Sequence, residues 1–270
     1  MKLTRYQSAN GPRWAVDQQF LPRGLTLGSL LALPHSAMIA LLSSLASPES
    51  ATGPLLTPVE ADQEVWGSGV TYLRSRDARK AESTTADVYQ KVYDAERPEI
   101  FFKQLGWRVV GSGEAVRIRQ DSHWNVPEPE VTLVINAHSE IVGYTVGNDM
   151  SSRDIEGANP LYLPQAKTYT GSATVGPAIQ LASADALTAL SINLVIERGG
   201  STVFSGETAT SNMKRTFPDL ASYLCREIEF PHGVFLMTGT GIVPGDDFTL
   251  QAGDLMRITI GELTLENTVA

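Results

Sequence analysis

Downstream of Pro98 the apolar residues fall in short runs broken by Gly, Asn or Pro, with no long helical stripe. EIFFKQL, EVTLVINA, EIVGYTVG, SINLVIERGGSTVFSGE, GVFLMTGTGI and DLMRITIGELTLE are rich in β-branched and aromatic residues. That composition suits a pleated, half-buried surface and predicts strands. ERGGST, between two such runs, predicts a tight hairpin. Upstream the period changes. RSRDARKAES and TADVYQKVYDAERPE carry helical charge patterning, and Pro98 limits the second helix. Another helix is predicted over PDLASYLCREIEF, with Pro218 in its first turn and Asp219 near the positive end of its dipole. Near the N-terminus, Met38, Leu41, Leu42 and Leu45 repeat at helical spacing and stop before Pro48, which predicts a one-sided helix lying on a core. ASPESATGPLLTPVE then reads as a connection. The expectation is a β-rich α+β protein: a mostly antiparallel or mixed β-sandwich or closed roll with helices at its edge. A small N-terminal unit spans 1–62 and the main domain 63–270.

Composition narrows the partners. With 270 residues the chain can bury a large core, and 21 Lys+Arg against 30 Asp+Glu give a net charge of −9. That field opposes phosphate backbones and anionic lipid, so neither nucleic acid nor membrane is an expected partner. The apolar stretch from Leu25 to Ala46 is interrupted by Pro34, His35 and several serines. It falls short of the roughly 20 continuous apolar residues that a spanning helix needs. The single cysteine, Cys225, can form no intramolecular disulfide, which fits a reducing compartment. A soluble, cytoplasmic protein is the expectation.

The chemistry concentrates in EPEVTLVINAHSEIVGYTVGNDMSSRD. Glu128 and Glu130 stand two residues apart at the head of a strand, so the pleat aims both carboxylates at one face. Like charges held together repel and raise each other's pKa unless something positive lies between them. A hard divalent cation satisfies such oxygens, which suit Mg²⁺, Mn²⁺ or Ca²⁺ better than zinc. The hairpin NAHSE returns the chain antiparallel and brings Asp149 beside the first glutamate, where a third carboxylate completes the set. Spacing alone leaves the alternative open, in which the glutamates are edge-strand charges and Asp149 caps a turn.

GYTVGNDMSSRDIE, followed by LPQAKTYTGSATVGPAI and later by FLMTGTG, resembles the signature region of the fumarylacetoacetate hydrolase family over roughly residues 65 to 265. Within it, GVTYLRSRDARKAES, RPEIFFK and RDIEGANPLYLPQAKTY are most similar to the branch that dehydrates 2-keto-3-deoxy-pentonates. The resemblance implies a mixed β-sandwich roll and a homo-oligomer. It also implies magnesium ligands at Glu128, Glu130 and Asp149, an active-site lysine at Lys167, and a substrate-carboxylate contact at Thr240. The implied reaction converts a 2-keto-3-deoxy-pentonate to 2-oxoglutarate semialdehyde. A hydrolase, decarboxylase or tautomerase of a diketo acid is the alternative on the same scaffold.

Beside a cation, Lys167 is expected to have a lowered pKa, leaving it either a neutral base or a charge stabiliser. Glu82 and Glu99 are the carboxylates expected to shuttle protons at C4 and C5. Each could instead be a solvated charge or a partner of Arg97 or Lys103. Arg153 and Asp154 are expected to brace the metal loop as an ion pair, and Asn148 is given no chemistry. Hydrolytic members of the family activate water with a His/Glu pair ahead of the metal strands. The four histidines here are His35, His123, His138 and His232, so residues 70–102 contain none, which favours dehydration.

Overall fold

The structure, a computed structural model, describes residues 1–45, 48–82 and 86–270, apart from the side chains of 81, 82, 86 and 87. Its framework is two packed sheets. The first eight strands that matter are β1 (Lys2–Ser8), β2 (Gly11–Val16), β3 (Glu64–Gly69), β4 (Glu99–Leu105), β5 (Pro129–Ile135), β6 (Ile141–Asp149), β7 (Ala173–Leu181) and β8 (Ser191–Arg198). They are followed by β9 (Ser201–Ala209), β10 (Val234–Met237), β11 (Leu255–Ile260) and β12 (Leu263–Val269). The larger sheet has ten strands, with the long ones ordered β2-β1-β7-β6-β5-β10-β3-β4. The smaller has five, ordered β9-β8-β11-β12 and closed by the short strand Ala115–Val116. Most pairings are antiparallel, but β10 runs parallel to β3, so the large sheet is mixed.

Alternation along β5 shows how the layers form. Val131, Leu133 and Ile135 face the small sheet and pack with Ile192, Leu194, Ile196, Met256 and Ile258. Val134 points to the opposite face, where Val65, Phe235, Leu30, Met38 and Leu42 form a second core. The cover on that face comes from α1 (Leu27–Leu31) and α2 (His35–Leu45). In α2 the fully buried residues are Met38 and Leu42, four apart on one stripe, as the sequence predicts. β1 pairs with β7 through Lys2↔Gln180 and Leu3↔Ile179, so the N-terminal residues extend the same sheet. Their strand character is not evident from the local pattern, since KLTRYQS and GPRWAV lack clean alternation.

The remaining helices follow along the chain. These are α3 (Leu73–Glu82), α4 (Ala86–Asp94), α5 (Arg153–Ala158), α6 (Leu163–Lys167) and α7 (Phe217–Leu224). In α7, the Thr216 hydroxyl accepts from Asp219 N and Pro218 occupies the first turn. The helix stops at Leu224, before the predicted REIEF extension. The ERGGST hairpin is formed as predicted, with Gly199 and Gly200 at φ 58° and 80°, the left-handed pair that a tight antiparallel turn requires. Among the described residues, no helix is long and apolar enough to cross a membrane.

Candidate active site

The site lies on the face of the large sheet that carries Val134, but at the other end of the strands. β6 pairs with β5 in the register Gly147↔Glu130 and Asn148↔Pro129. That register seats Asp149 beside Glu128, whose carbonyl accepts from Asp149 N at 2.9 Å. The Asn148 side-chain oxygen accepts from Glu128 N at 3.0 Å and fixes the strand end, a role the sequence left unassigned. Carboxylate oxygens of Glu128, Glu130 and Asp149 lie within 4.8 Å of one another, and all three residues are buried. The edge-strand alternative fails because β5 is interior, flanked by β6 and β10.

Four cations surround these carboxylates. Lys167, at the end of α6, places Nζ 2.5 Å from Glu128 Oε2 and 2.8 Å from Asp149 Oδ2. Arg79, from α3, bridges Glu128 Oε1 at 2.7 Å and Glu156 Oε2 at 2.5 Å. Arg153 reaches Glu128 Oε1 at 2.9 Å. Lys103, wholly buried on β4, lies 2.5 Å from Asp149 Oδ1. It also donates to the carbonyls of Met150 and Lys167, so one ammonium ties Asp149 to the backbone that presents Lys167.

One expectation is corrected here. Arg153 pairs with Glu128, not with Asp154, whose carboxylate instead accepts from Ser122 Oγ and His123 N. The cause is position: Arg153 opens α5 facing the buried carboxylates, while Asp154 turns to the loop before β5. Among the protein groups alone, burial would lower the Lys167 ammonium, but the Asp149, Glu128 and Glu156 carboxylates outweigh it and hold the lysine above its ordinary value. Lys167 is therefore a charged group in this arrangement.

The carboxyls diverge. Burial alone would raise Glu128, yet Lys167, Arg79 and Arg153 hold it well below the usual carboxylate range. Glu130 goes the other way, raised by burial and by the facing Asp149 and Glu128 carboxylates. It accepts a hydrogen bond from Gly239 N at 2.6 Å. Three hard oxygens, one of them destabilised by its neighbours' charge, are the donor set a divalent cation would satisfy.

Glu99 reaches the cleft across β3. It pairs with Gly69, and a Cβ at Gly69 would stand 1.9 Å from Glu99 Oε2. Phe101 likewise crosses Gly67, where a Cβ would meet its ring at 2.5 Å. The missing side chains at 67 and 69 let the carboxyl and ring lean over the strand, and the Phe101 ring centre lies 5.7 Å from Lys167 Nζ. Burial, then the nearby Glu156 carboxylate, raises the half-buried Glu99 carboxyl to about 7. Its sequence-proposed partners are engaged elsewhere: Lys103 with Asp149, and Arg97 over the Tyr223 ring. Thr240 lines the same cleft, and its hydroxyl bonds with the Ile242 backbone. Glu82 belongs to α3, but its side chain lies outside the described residues. Sequence reasoning missed Arg79 and Lys103. A helical charge run and an alternating strand both read as solvated, and nothing local signals that their cations are buried.

Residues 64–270 match the model of the fumarylacetoacetate (FAA) hydrolase C-terminal domain. The chain belongs to the fumarylacetoacetate hydrolase family. Among its members, a protein of Haloferax volcanii named "probable 2-keto-3-deoxyxylonate dehydratase" is 47% identical over 214 residues, 78% of this chain and 73% of that one. The 2-dehydro-3-deoxy-D-arabinonate dehydratase of Saccharolobus solfataricus is 44% identical over 207 residues, 74% of this chain and 69% of that one. A solved structure of 2-keto-3-deoxy-D-arabinonate dehydratase, complexed with magnesium and 2,5-dioxopentanoate, superposes with a TM-score of 0.80. It is 34% identical, and the match covers 100% of this chain and 98% of that one. The fold superposes on that structure, and the magnesium it holds is consistent with the buried acidic cluster of this chain.

Proposed function

We propose that this chain is a magnesium-dependent hydro-lyase that converts a 2-keto-3-deoxy-pentonate to 2-oxoglutarate semialdehyde, that is, 2,5-dioxopentanoate. The observation that carries the reading is the full-length likeness to a dehydratase structure holding magnesium and that dioxo acid. The buried Glu128, Glu130 and Asp149 set supports it from this chain's own residues.

Glu128, Glu130 and Asp149 hold the cation. When bound, Mg²⁺ supplies Lewis acidity to the adjacent carboxylate and oxo oxygens of the substrate, which acidifies C3. Lys167, kept charged by its carboxylate neighbours, stabilises the negative charge that develops on the oxo oxygen. Glu99, whose carboxyl titrates near neutrality, takes the C3 proton and returns it to the departing C4 hydroxyl, so water leaves. The unsaturated 2-oxo acid then moves a proton from C5 to C3, and the resulting enol tautomerises to the aldehyde. Arg79 and Arg153 keep Glu128 ionised and oriented. Thr240 and its neighbours bound the substrate's end of the cleft. Among the described residues no histidine lines this cleft, and the scheme requires no activated water.

The test is a paired assay with and without EDTA, offering 2-keto-3-deoxy-pentonate and an acylpyruvate side by side. Semialdehyde formation from the sugar acid alone, abolished by chelation, is expected. Cleavage of the acylpyruvate with the sugar acid untouched overturns the reading.

A further inference from the structure

The α3–α4 excursion carries Arg79 into the site and ends just before Glu99, so its placement decides where two site groups stand. Residues 213–215 meet both of its feet, Met213 and Lys214 at the first and Lys214 and Arg215 at the second. At the first foot, Met213 pairs with Tyr72 as an antiparallel bridge and Lys214 N donates to Thr71 O at 2.9 Å. The Thr71 hydroxyl in turn donates to Thr238 O at 2.7 Å, next to the Gly239 amide that holds Glu130. At the second foot, the Lys214 ammonium donates to Tyr93 O and sits 4.2 Å from that ring's centre. The Arg215 guanidinium forks onto two successive carbonyls, Glu96 O at 2.6 Å and Ala95 O at 2.5 Å. The Nη1 that donates to Glu96 O also lies 3.5 Å from Asp219 Oδ2 in the first turn of α7.

The chemistry of this contact is that of a helix C-terminus. The last carbonyls of a helix lack intrahelical donors and carry partial negative charge, so cations that also donate hydrogen bonds are the groups that fix them. Arg215 is well suited because a planar fork meets two acceptors at once and its side chain is mostly buried, 11% exposed. Only Arg97 and Pro98 separate Glu96 from Glu99. Restraining the carbonyls of 95 and 96 therefore restrains the start of β4, where the Glu99 carboxyl must lean across Gly69.

We propose that Lys214 and Arg215 are positioning residues, which clasp the two feet of the α3–α4 excursion and so hold Arg79 and Glu99 in register with the cleft. This rests on the roles given above to Arg79 and Glu99. Neither clasp residue lines the cleft or contacts a metal ligand, so the effect is on geometry and not on charge at the reacting atoms.

The experiment compares wild type, the Lys214→Ala/Arg215→Ala double variant, Arg215→Lys and Glu99→Gln. Each is read by kcat, KM, magnesium affinity from calorimetry, and hydrogen exchange of residues 73–80 and 88–94. The double variant is expected to lose about 10 to 100-fold in kcat, the scale of a small misplacement of a reacting group. KM should change little, magnesium affinity should fall as Arg79 loosens its hold on Glu128, and exchange should quicken in the two helices but not in β5. Arg215→Lys, which keeps the charge without the fork, should fall between. Wild-type kcat in the double variant overturns the clasp, as does a loss of kcat with exchange in the helices unchanged. Were the double variant insoluble, Arg215→Lys decides in the same way. If Glu99→Gln retains wild-type turnover, the mechanism itself is wrong; if it is inactive while the double variant is not, only the clasp is.

Discussion

One face of the large sheet is two materials in succession. At one end Val65, Val134 and Phe235 meet Leu30, Met38 and Leu42 in a dry core under α1 and α2. Beside it stand Glu130, further along β5, Glu128 just ahead of that strand, and Glu99 and Lys103 from β4 of the same sheet. β5 makes the change from Val134 to Glu130 with only Thr132 between them. The apolar end is stabilised without direction, in proportion to the area removed from water. The charged end carries a desolvation cost that must be met atom by atom, and Glu128 and Asp149 each have a named cation and Glu130 an amide. The first kind of surface tolerates rearrangement; the second fixes geometry, which a catalytic site needs.

That contrast can be broken from either side. Lys167→Met should lower turnover by on the order of 10³-fold. The protein should remain folded in excess Mg²⁺ by circular dichroism; retained turnover would remove the lysine from the chemistry. Leu42→Ala should cost about 2–5 kcal/mol of stability, read by denaturant unfolding, with magnesium affinity unchanged. A parallel loss of metal binding would show that the two ends are not independent. Glu130→Gln should weaken magnesium binding at least about tenfold in calorimetry while leaving the dry core intact. The smallest effect is in pH. With Glu99 titrating near 7, its basic form is lost as pH falls, so kcat/KM should drop about tenfold per unit below that value. Glu99→Gln should abolish this limb along with most of the rate; an unchanged profile in that variant assigns the limb to another group.

The convergence of the three acidic residues was legible from two short-range rules, a pleat that puts Glu128 and Glu130 on one face and a hairpin that returns Asp149 beside them, while the family resemblance and not the spacing pointed to a metal set. The Gly199-Gly200 turn and the α7 start were legible for the same reason. Lys103 was not. In EIFFKQL it looks like the solvent side of an alternating strand, and only the docking of α6 and the end of β6 makes that side interior. How closely Glu128 and Asp149 enclose Lys167 also depended on tertiary placement. Arg153 took Glu128 over its neighbour Asp154, a choice fixed by where α5 faces.

The central position of β10 bears on when the site can exist during synthesis. This strand inserts between β5 and β3, two strands made long before it, and the amide that holds Glu130 follows directly after it. A nascent chain that has not yet extruded residue 239 lacks both the wedge that joins the two halves of the sheet and the last donor to the third carboxylate. On the proposed reading, fragments ending short of β10 should be unable to capture the ion.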